Sequence, residues 1–213
     1  MPDDDRAILA TGASSGIGKA TALHLDGLGL RVFAGVRREA DGEVLQDLAS
    51  DRLSPLLLDV TDPDAIARAV RTVGEAASGE LHGLVNNAGL SLNGPLELVS
   101  VGAMRKLMDV NVLGLLAVTQ AFLPLLRQAK GRILNVSSGH GLLAIPDKSV
   151  YPASKFAVQA ISDALRVELR PFGISVSCLV VGKVDTEVLS KIESQRARML
   201  GAAAPDIASL YAP

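Results

Sequence analysis

The chain has no tryptophan, only two tyrosines and four phenylalanines, and a single cysteine. An aromatic content of 3% leaves few platforms for stacking nucleobases. A formal net charge of -2 supplies no basic field to gather nucleic acid or anionic lipid. Nucleic-acid binding is therefore not expected, and small-molecule chemistry is favoured. A lone cysteine forms no intrachain disulfide; Cys178, inside the apolar run "ISVSCLVV", reads as a packed strand residue and suits a reducing, cytoplasmic setting. The three histidines, His24, His82 and His140, show no metal-ligand spacing, so no metal is expected. The acidic start "MPDDDRAILA" lacks the features of a secretory signal, and no export is expected. The longest apolar stretch, residues 110–126, is interrupted by Asn111, Thr119, Gln120 and Pro124, which favours a buried helix over a membrane span.

What is present is apolar and periodic. With 213 residues, 48% of them hydrophobic, the chain is long enough to bury one sizeable core, and one domain over 1–213 is expected. Six short runs, "AILA", "RVFAGV", "LSPLLLD", "GLVNNA", "GRILNVSS" and "ISVSCLVV", alternate with helical patterns near 16–28, 40–50, 62–78, 100–128 and 150–171. Most runs are continuously apolar, as strands covered on both faces are. The pattern predicts an α/β, doubly wound Rossmann fold: a parallel sheet of six strands with helices on both faces.

Between the first strand and first helix lies "TGASSGIG", where Gly12, Gly16 and Gly18 let the backbone approach a pyrophosphate at the helix start. Glycines also serve ordinary turns; their place between strand and helix favours the nucleotide reading. "NNAG" and "NVSSG" close the fourth and fifth strands, whose carboxyl ends border the ligand crevice of such a sheet, although turn chemistry alone would explain either. In "YPASKFAV", Tyr151 and Lys155 stand at i and i+4 on one helix face. A cation near a phenol favours the phenolate, making Tyr151 a candidate acid/base, while such a pair alone is commonly a surface contact.

"TGASSGIG", "NNAG", Asn111, Ser138 and "YPASK", in this order, resemble the short-chain dehydrogenase/reductase family over about residues 6–190. The resemblance implies an NAD(P)-dependent oxidoreductase interconverting an alcohol and a ketone or aldehyde. By it Tyr151 is the general acid/base and Ser138, thirteen positions upstream, orients the substrate carbonyl. Lys155 holds the nicotinamide ribose and lowers the tyrosine pKa, and Asn111 supports a proton relay. It further implies cofactor contacts at Gly12, Ser14, Ser15, Gly16, Ile17, Gly18, Arg37, Arg38, Asp59, Val60, Asn87, Ala88, Gly89, Tyr151, Lys155, Gly182, Val184 and Thr186. Substrate contacts fall on Ser138, His140, Leu143 and Tyr151. For Asp59 a turn acid is the competing reading, and His140 fits an incidental loop histidine as well as a functional one.

"VFAGVRR", "GHGLLAIP", "FGISVSCLV" and "GKVDTEV" look most like the hydroxysteroid and retinol dehydrogenase branch, which points to a lipophilic substrate. Leu142 to Ile145, with Leu90 and Val188, would line its pocket, or serve as plain core. At the end of the second strand Val36 stands where NAD-using members carry Asp, and Arg37 and Arg38 follow, which favours NADP over NAD. Ser15 lacks the basic charge that many NADP-using relatives place in the glycine turn. Two features depart from the family pattern: Val181-Gly182 replaces Pro-Gly after the sixth strand, and the sequence stops short of a seventh strand. The sixth strand is then expected at an exposed edge, and the alternative function is a catalytically weak nucleotide-binding or scaffold protein. A homodimer or homotetramer is expected, formed through the helices near 100–128 and 150–171.

Overall fold

Alternation of apolar strands with amphipathic helices produces six parallel strands in the order β3-β2-β1-β4-β5-β6. The computed structural model describes residues 5–182 and 196–211. The strands are β1 (Ala7–Ala10), β2 (Arg31–Val36), β3 (Leu53–Leu57), β4 (Gly83–Asn86), β5 (Arg132–Ser138) and β6 (Ser175–Val181). The helices between them are α1 (Gly16–Gly27), α2 (Glu39–Gln46), α3 (Pro63–Ala76), α4 (Val101–Met108), α5 (Leu115–Ala129) and α6 (Val150–Glu168).

Period-two alternation sorts each strand's side chains onto two faces. Val32, Ala34 and Val36 of β2 point with Ala22 and Leu45 into the layer under α1 and α2. Phe33 points the other way, among Val73, Val118, Phe122 and Leu126 of α3 and α5, with Leu165 of α6 packed against the same cluster. β3 and β6 are the edge strands among the described residues, and Leu179 and Val180 of β6 are exposed.

Helix ends follow local chemistry. Asp62 caps α3 by accepting from the Asp64 N–H at 2.9 Å, with Pro63 in the first turn. Ser100 caps α4 through the Ala103 N–H at 3.2 Å. Pro171 follows α6 within a 3-10 turn, and Gly173 at φ +74 turns the chain into β6. The single helix expected near 100–128 is instead α4 and α5 joined by a π turn over Asp109–Gly114. The wider turn carries Asn111, Val112 and Gly114 inward. Gly114 is required there because a Cβ would meet Val60 Cγ2 at 2.7 Å. The whole run Val101–Ala129, 29 residues, is long and apolar enough by composition to cross a membrane. Its apolar inner face is used by the core through Leu115, Val118, Phe122 and Leu126.

Candidate active site

The strand order reverses direction between β1 and β4, and the glycine turn lies at the carboxyl end of that seam. Gly12 (φ +65) and Gly16 (φ +54) occupy the left-handed region that other residues avoid. Gly18 packs so closely that a Cβ would strike the Gly12 carbonyl oxygen and the Asn87 amide. Asn87 Nδ2 donates to the carbonyls of Thr11 and Gly12, both at 3.0 Å. Thr11 Oγ1 in turn accepts the backbone N–H groups of Asn87 and Ala88, both at 3.0 Å. The turn is thus stitched to the end of β4. Ser15, at the N-cap of α1, makes no side-chain capping bond, so the first amides of α1 face the cradle without a side-chain partner. Ser15 and Gly16 are exposed there, while Ser14 and Ile17 are half-buried. A backbone cradle that a single Cβ would fill, at an uncapped helix start, fits a dinucleotide pyrophosphate.

At the end of β2 the two arginines differ. Arg38 is committed to Asp41 by a forked pair, Nε to Oδ2 at 2.9 Å and Nη2 to Oδ1 at 2.6 Å. Arg37 is exposed and forms no side-chain hydrogen bond among the described residues, which leaves it the better placed of the two for a phosphate. Beyond β3, Asp59 accepts from the Thr61 N–H at 2.9 Å and hydroxyl at 2.7 Å, the geometry of a turn acid. Burial pushes its pKa up, but the Thr61 hydrogen bonds, Arg37 and Lys106 outweigh that and hold it below the usual value. Val60 turns its side chain into the core against Gly114.

Tyr151 and Lys155 occupy the first turns of α6, with the Lys155 ammonium 5.9 Å from the centre of the Tyr151 ring. Lys155 Nζ donates to the Val136 carbonyl of β5 at 2.9 Å. Burial lowers its pKa to about 8, against a smaller opposing contribution from Cys178 on β6. Tyr151 departs from expectation: burial raises its pKa above the ordinary phenol value, and a hydrogen bond from Ser138 only partly offsets this. The expected lowering by Lys155 is not seen, because the ammonium is bound to a strand carbonyl and the phenol has lost most of its water.

Ser138 ends β5 at φ -151, and its Oγ accepts the His140 N–H at 3.2 Å. His140 Nδ1 stands 3.5 Å from that hydroxyl, and its ring meets the Tyr151 ring edge-on at 5.8 Å. Burial first, and then Lys148, keep the imidazole pKa below normal. Ser138, His140 and Tyr151 therefore share one cluster. Asn111 is 1% exposed and spends its amide on structure: Oδ1 accepts the Leu90 N–H at 2.7 Å, and Nδ2 donates to the Leu90 carbonyl at 2.9 Å and to Ser154 Oγ at 3.0 Å. Gly89 sits between Asn111 and Lys155, with its Cβ position 3.5 Å from Asn111 Oδ1 and 3.8 Å from Lys155 Nζ. Leu90 is half-buried, whereas Leu142 and Leu143 are exposed on the rim.

Gly182 lies open just past β6, while Val184, Thr186 and Val188 fall outside the described residues. Among the described residues no group of three or more His, Cys, Asp or Glu side chains has metal-binding geometry. Two positioning residues escaped the sequence reading. Thr11 and Ser154 lie inside "TGASSGIG" and "YPASK", where a hydroxyl beside each motif's named residues was the available signal. A third group is the buried chain in which Asn86 Nδ2 bonds Thr119 and Asn135 and Asn135 Nδ2 bonds Ser162; its two asparagines open "NNAG" and "NVSSG", while Thr119 and Ser162 left no sequence signal.

Comparison with known proteins agrees with this geometry. The sequence model of the short chain dehydrogenase family matches residues 6–197. Rat mitochondrial D-beta-hydroxybutyrate dehydrogenase is 41% identical over 184 residues, 83% of this chain and 54% of that protein. Human retinol dehydrogenase 16 is 43% identical over 189 residues, 88% of this chain and 59% of that protein. This chain thus spans little more than half the length of these relatives. A solved 3-ketoacyl-(acyl-carrier-protein) reductase from Brucella melitensis, complexed with NADH, superposes with a TM-score of 0.83 at 26% identity, covering 92% of this chain and 81% of that one. The chain belongs to the short chain dehydrogenase family, on the side of it that holds the retinol and hydroxysteroid dehydrogenases.

Proposed function

We propose that this chain carries an NADP-preferring oxidoreductase activity that interconverts a lipophilic secondary alcohol and its ketone, or an alcohol and its aldehyde. The observation that supports it most is the cluster of Tyr151, Ser138 and buried Lys155 at the carboxyl end of β5, beside the glycine cradle at the β1–β4 seam. The bound nicotinamide would supply the hydride. The chain's own residues do the rest. Ser138 Oγ holds the substrate oxygen within reach of the phenol. Tyr151, kept protonated by burial, delivers its proton to that oxygen during reduction and takes it back during oxidation. Lys155, its ammonium 5.9 Å from the centre of the tyrosine ring, would hold the nicotinamide ribose. Asn111 fixes the loop after β4 to α6, so the cradle and the tyrosine keep their spacing.

The lipophilic substrate class is supported by exposed Leu142, Leu143 and Ile145 on the rim beside His140 and by the retinol dehydrogenase among the relatives. Arg37 would meet a ribose 2′-phosphate. A homodimer is supported by apolar side chains left exposed on the outer helices, Leu113 and Leu116 around the start of α5 and Val167 in α6. The test is Tyr151→Phe assayed on a panel of alcohols and ketones with both cofactors. Turnover is expected to fall by about 10² or more, with NADPH fluorescence titration little changed. Retention of more than about a tenth of the wild-type rate would remove the tyrosine from its role.

A further inference from the structure

The turn that follows β5 is pinned by its neighbours. Gly139–Gly141 forms one 3-10 turn, and the Leu142 and Leu143 N–H groups both return to the Gly139 carbonyl at 3.1 Å. A Cβ at Gly141 would meet Ser137 Oγ at 2.6 Å and the Lys155 carbonyl oxygen at 2.9 Å, so the turn lies tight against β5 and α6. On the other side, β6 approaches Gly139 through the Val181 carbonyl. His140 is the one side chain that this turn carries, and its ring stands edge-on to the Tyr151 ring at 5.8 Å. Backbone and ring are therefore both fixed beside Ser138.

A serine hydroxyl has one proton to donate and two lone pairs with which to accept. On Ser138 the His140 backbone N–H takes one lone pair, at 3.2 Å. His140 Nδ1 stands 3.5 Å from the same oxygen, within reach of the other, and contacts of this kind tighten when substrate enters. The Ser138 hydrogen bond lowers the Tyr151 pKa against burial, which is the effect of a hydroxyl that gives its proton to the phenol oxygen. A proton given to Tyr151 is not available to the imidazole, so Nδ1 meets Ser138 as a donor. The titratable groups facing the ring are Tyr151 on α6 and Lys148 just ahead of it. Burial and then Lys148 hold the ring pKa below normal, so at neutral pH the imidazole carries a single proton, and Nδ1 is where the serine needs it.

We propose that His140 is the positioning residue that makes Ser138 a pure donor: its backbone N–H and its Nδ1–H fill both lone pairs of the hydroxyl, which leaves the serine proton for the oxygen of the reacting carbonyl. The inference rests on the proposed roles of Ser138 and Tyr151. Without Nδ1–H one lone pair stays open, and Ser138 accepts from Tyr151, which ties up the proton that the phenol must deliver. The ring neither takes nor gives a proton during the reaction. Neutral imidazole protonated on Nδ1 and imidazolium present the same donor, so the charge of the ring does not set the rate.

The test pairs a nitrogen spectrum of the ring with the kinetics of ketone reduction. In the long-range proton–nitrogen spectrum of the wild type, above the imidazole pKa, Nδ1 of His140 is expected to be the protonated nitrogen and Nε2 the bare one. His140→Asn identifies the signals among the three histidines. His140→Phe keeps the ring contact and the backbone N–H but removes Nδ1; its kcat/KM is expected to fall by about tenfold, mostly through kcat, with NADPH affinity unchanged. His140→Asn, whose amide Nδ2 donates from nearly the same place, is expected to stay within about threefold of wild type. From about pH 5 to 7.5 the ratio of kcat/KM between wild type and His140→Asn is expected to be constant. The proposal is overturned by a bare Nδ1, by an Asn variant as impaired as the Phe variant, by a Phe variant at the wild-type rate, or by an ionisation seen in the wild type and lost in His140→Asn. A wild type that turns over no ketone instead removes the oxidoreductase reading, and the nitrogen spectrum still decides how His140 meets Ser138.

Discussion

Lys155 is a cation held at 7% exposure, and among the described residues its ammonium donates to the Val136 carbonyl alone. Its pKa falls from 10.5 to about 8 because burial penalises the charged form. The unfolded chain therefore binds more protons than the folded one between about pH 8 and 10.5, and stability from this group rises with pH across that window. Below pH 8 the full penalty stands, of order 3 kcal/mol. Lys155→Met removes the penalty but leaves the Val136 carbonyl without its donor, which costs about 1–3 kcal/mol. The net effect at pH 7 is small, and the pH dependence is diagnostic. Urea unfolding of wild type and variant is expected to show the wild type gaining up to about 3 kcal/mol relative to Lys155→Met from pH 7 to pH 10.5. Parallel curves would mean that the ammonium is solvated. The same burial acts in the opposite direction on Tyr151, whose phenol stays protonated at neutral pH and is ready to act as an acid.

The elements that place these residues differ in how far they could be read in advance. The β1–α1 turn was legible because glycine spacing is a local property, and the structure gives each glycine a separate task. Gly18→Ala drives a methyl group into the Gly12 carbonyl and the Asn87 amide, and is expected to lose cofactor affinity and about 1–3 kcal/mol of stability. Gly27→Ala, in the last turn of the same helix with nothing within 4 Å, is expected to be neutral or to stabilise by up to about 1 kcal/mol. Fluorescence titration and urea unfolding of the pair separate local crowding from helix propensity, and equal effects would count against the cradle. The six strands and the Ser138–Tyr151 interval were likewise visible in the sequence, since each depends on local apolar runs or on fixed spacing. The π turn at Asp109–Gly114 was not, because it answers to Val60, fifty-four positions from Gly114. Nor was the work of Asn111, whose partners Leu90 and Ser154 lie 21 and 43 positions away. The pairing of Arg38 with Asp41, three residues on, is a local contact that the reading of Arg37 and Arg38 as a phosphate site leaves out. The Tyr151 pKa went the other way because depth of burial is a tertiary property that i,i+4 spacing does not carry.

At the scale of the molecule, two three-stranded halves meet along the β1–β4 seam, where Ile8, Leu9 and Ala10 face Gly83, Leu84 and Val85. The seam is short and is extended by the Thr11 N–H bond to Val85 at 2.9 Å and by the Thr11–Asn87 bonds around the glycine turn. A dinucleotide lying across it would touch residues from both halves, Gly12 to Gly18 and Arg37 on one side and Asn87 to Gly89 with Lys155 on the other. Only the folded chain presents that surface, so binding must stabilise the whole fold: about 2.7 kcal/mol at a hundred times the Kd. For a chain of this size that corresponds to a rise in Tm of roughly 5–10 °C. Because Arg37 is exposed and uncommitted to any hydrogen bond among the described residues, NADPH is expected to raise Tm more than NADH at equal concentration. Arg37→Asp is expected to reverse that order while leaving the Tm of the protein without cofactor nearly unchanged, since an exposed side chain contributes little to the fold. Differential scanning fluorimetry of both proteins with both cofactors checks this, and a larger NADH shift in the wild type would exclude the NADP preference. If neither cofactor moves Tm at millimolar concentration, the seam does not hold a dinucleotide and the oxidoreductase reading fails with it.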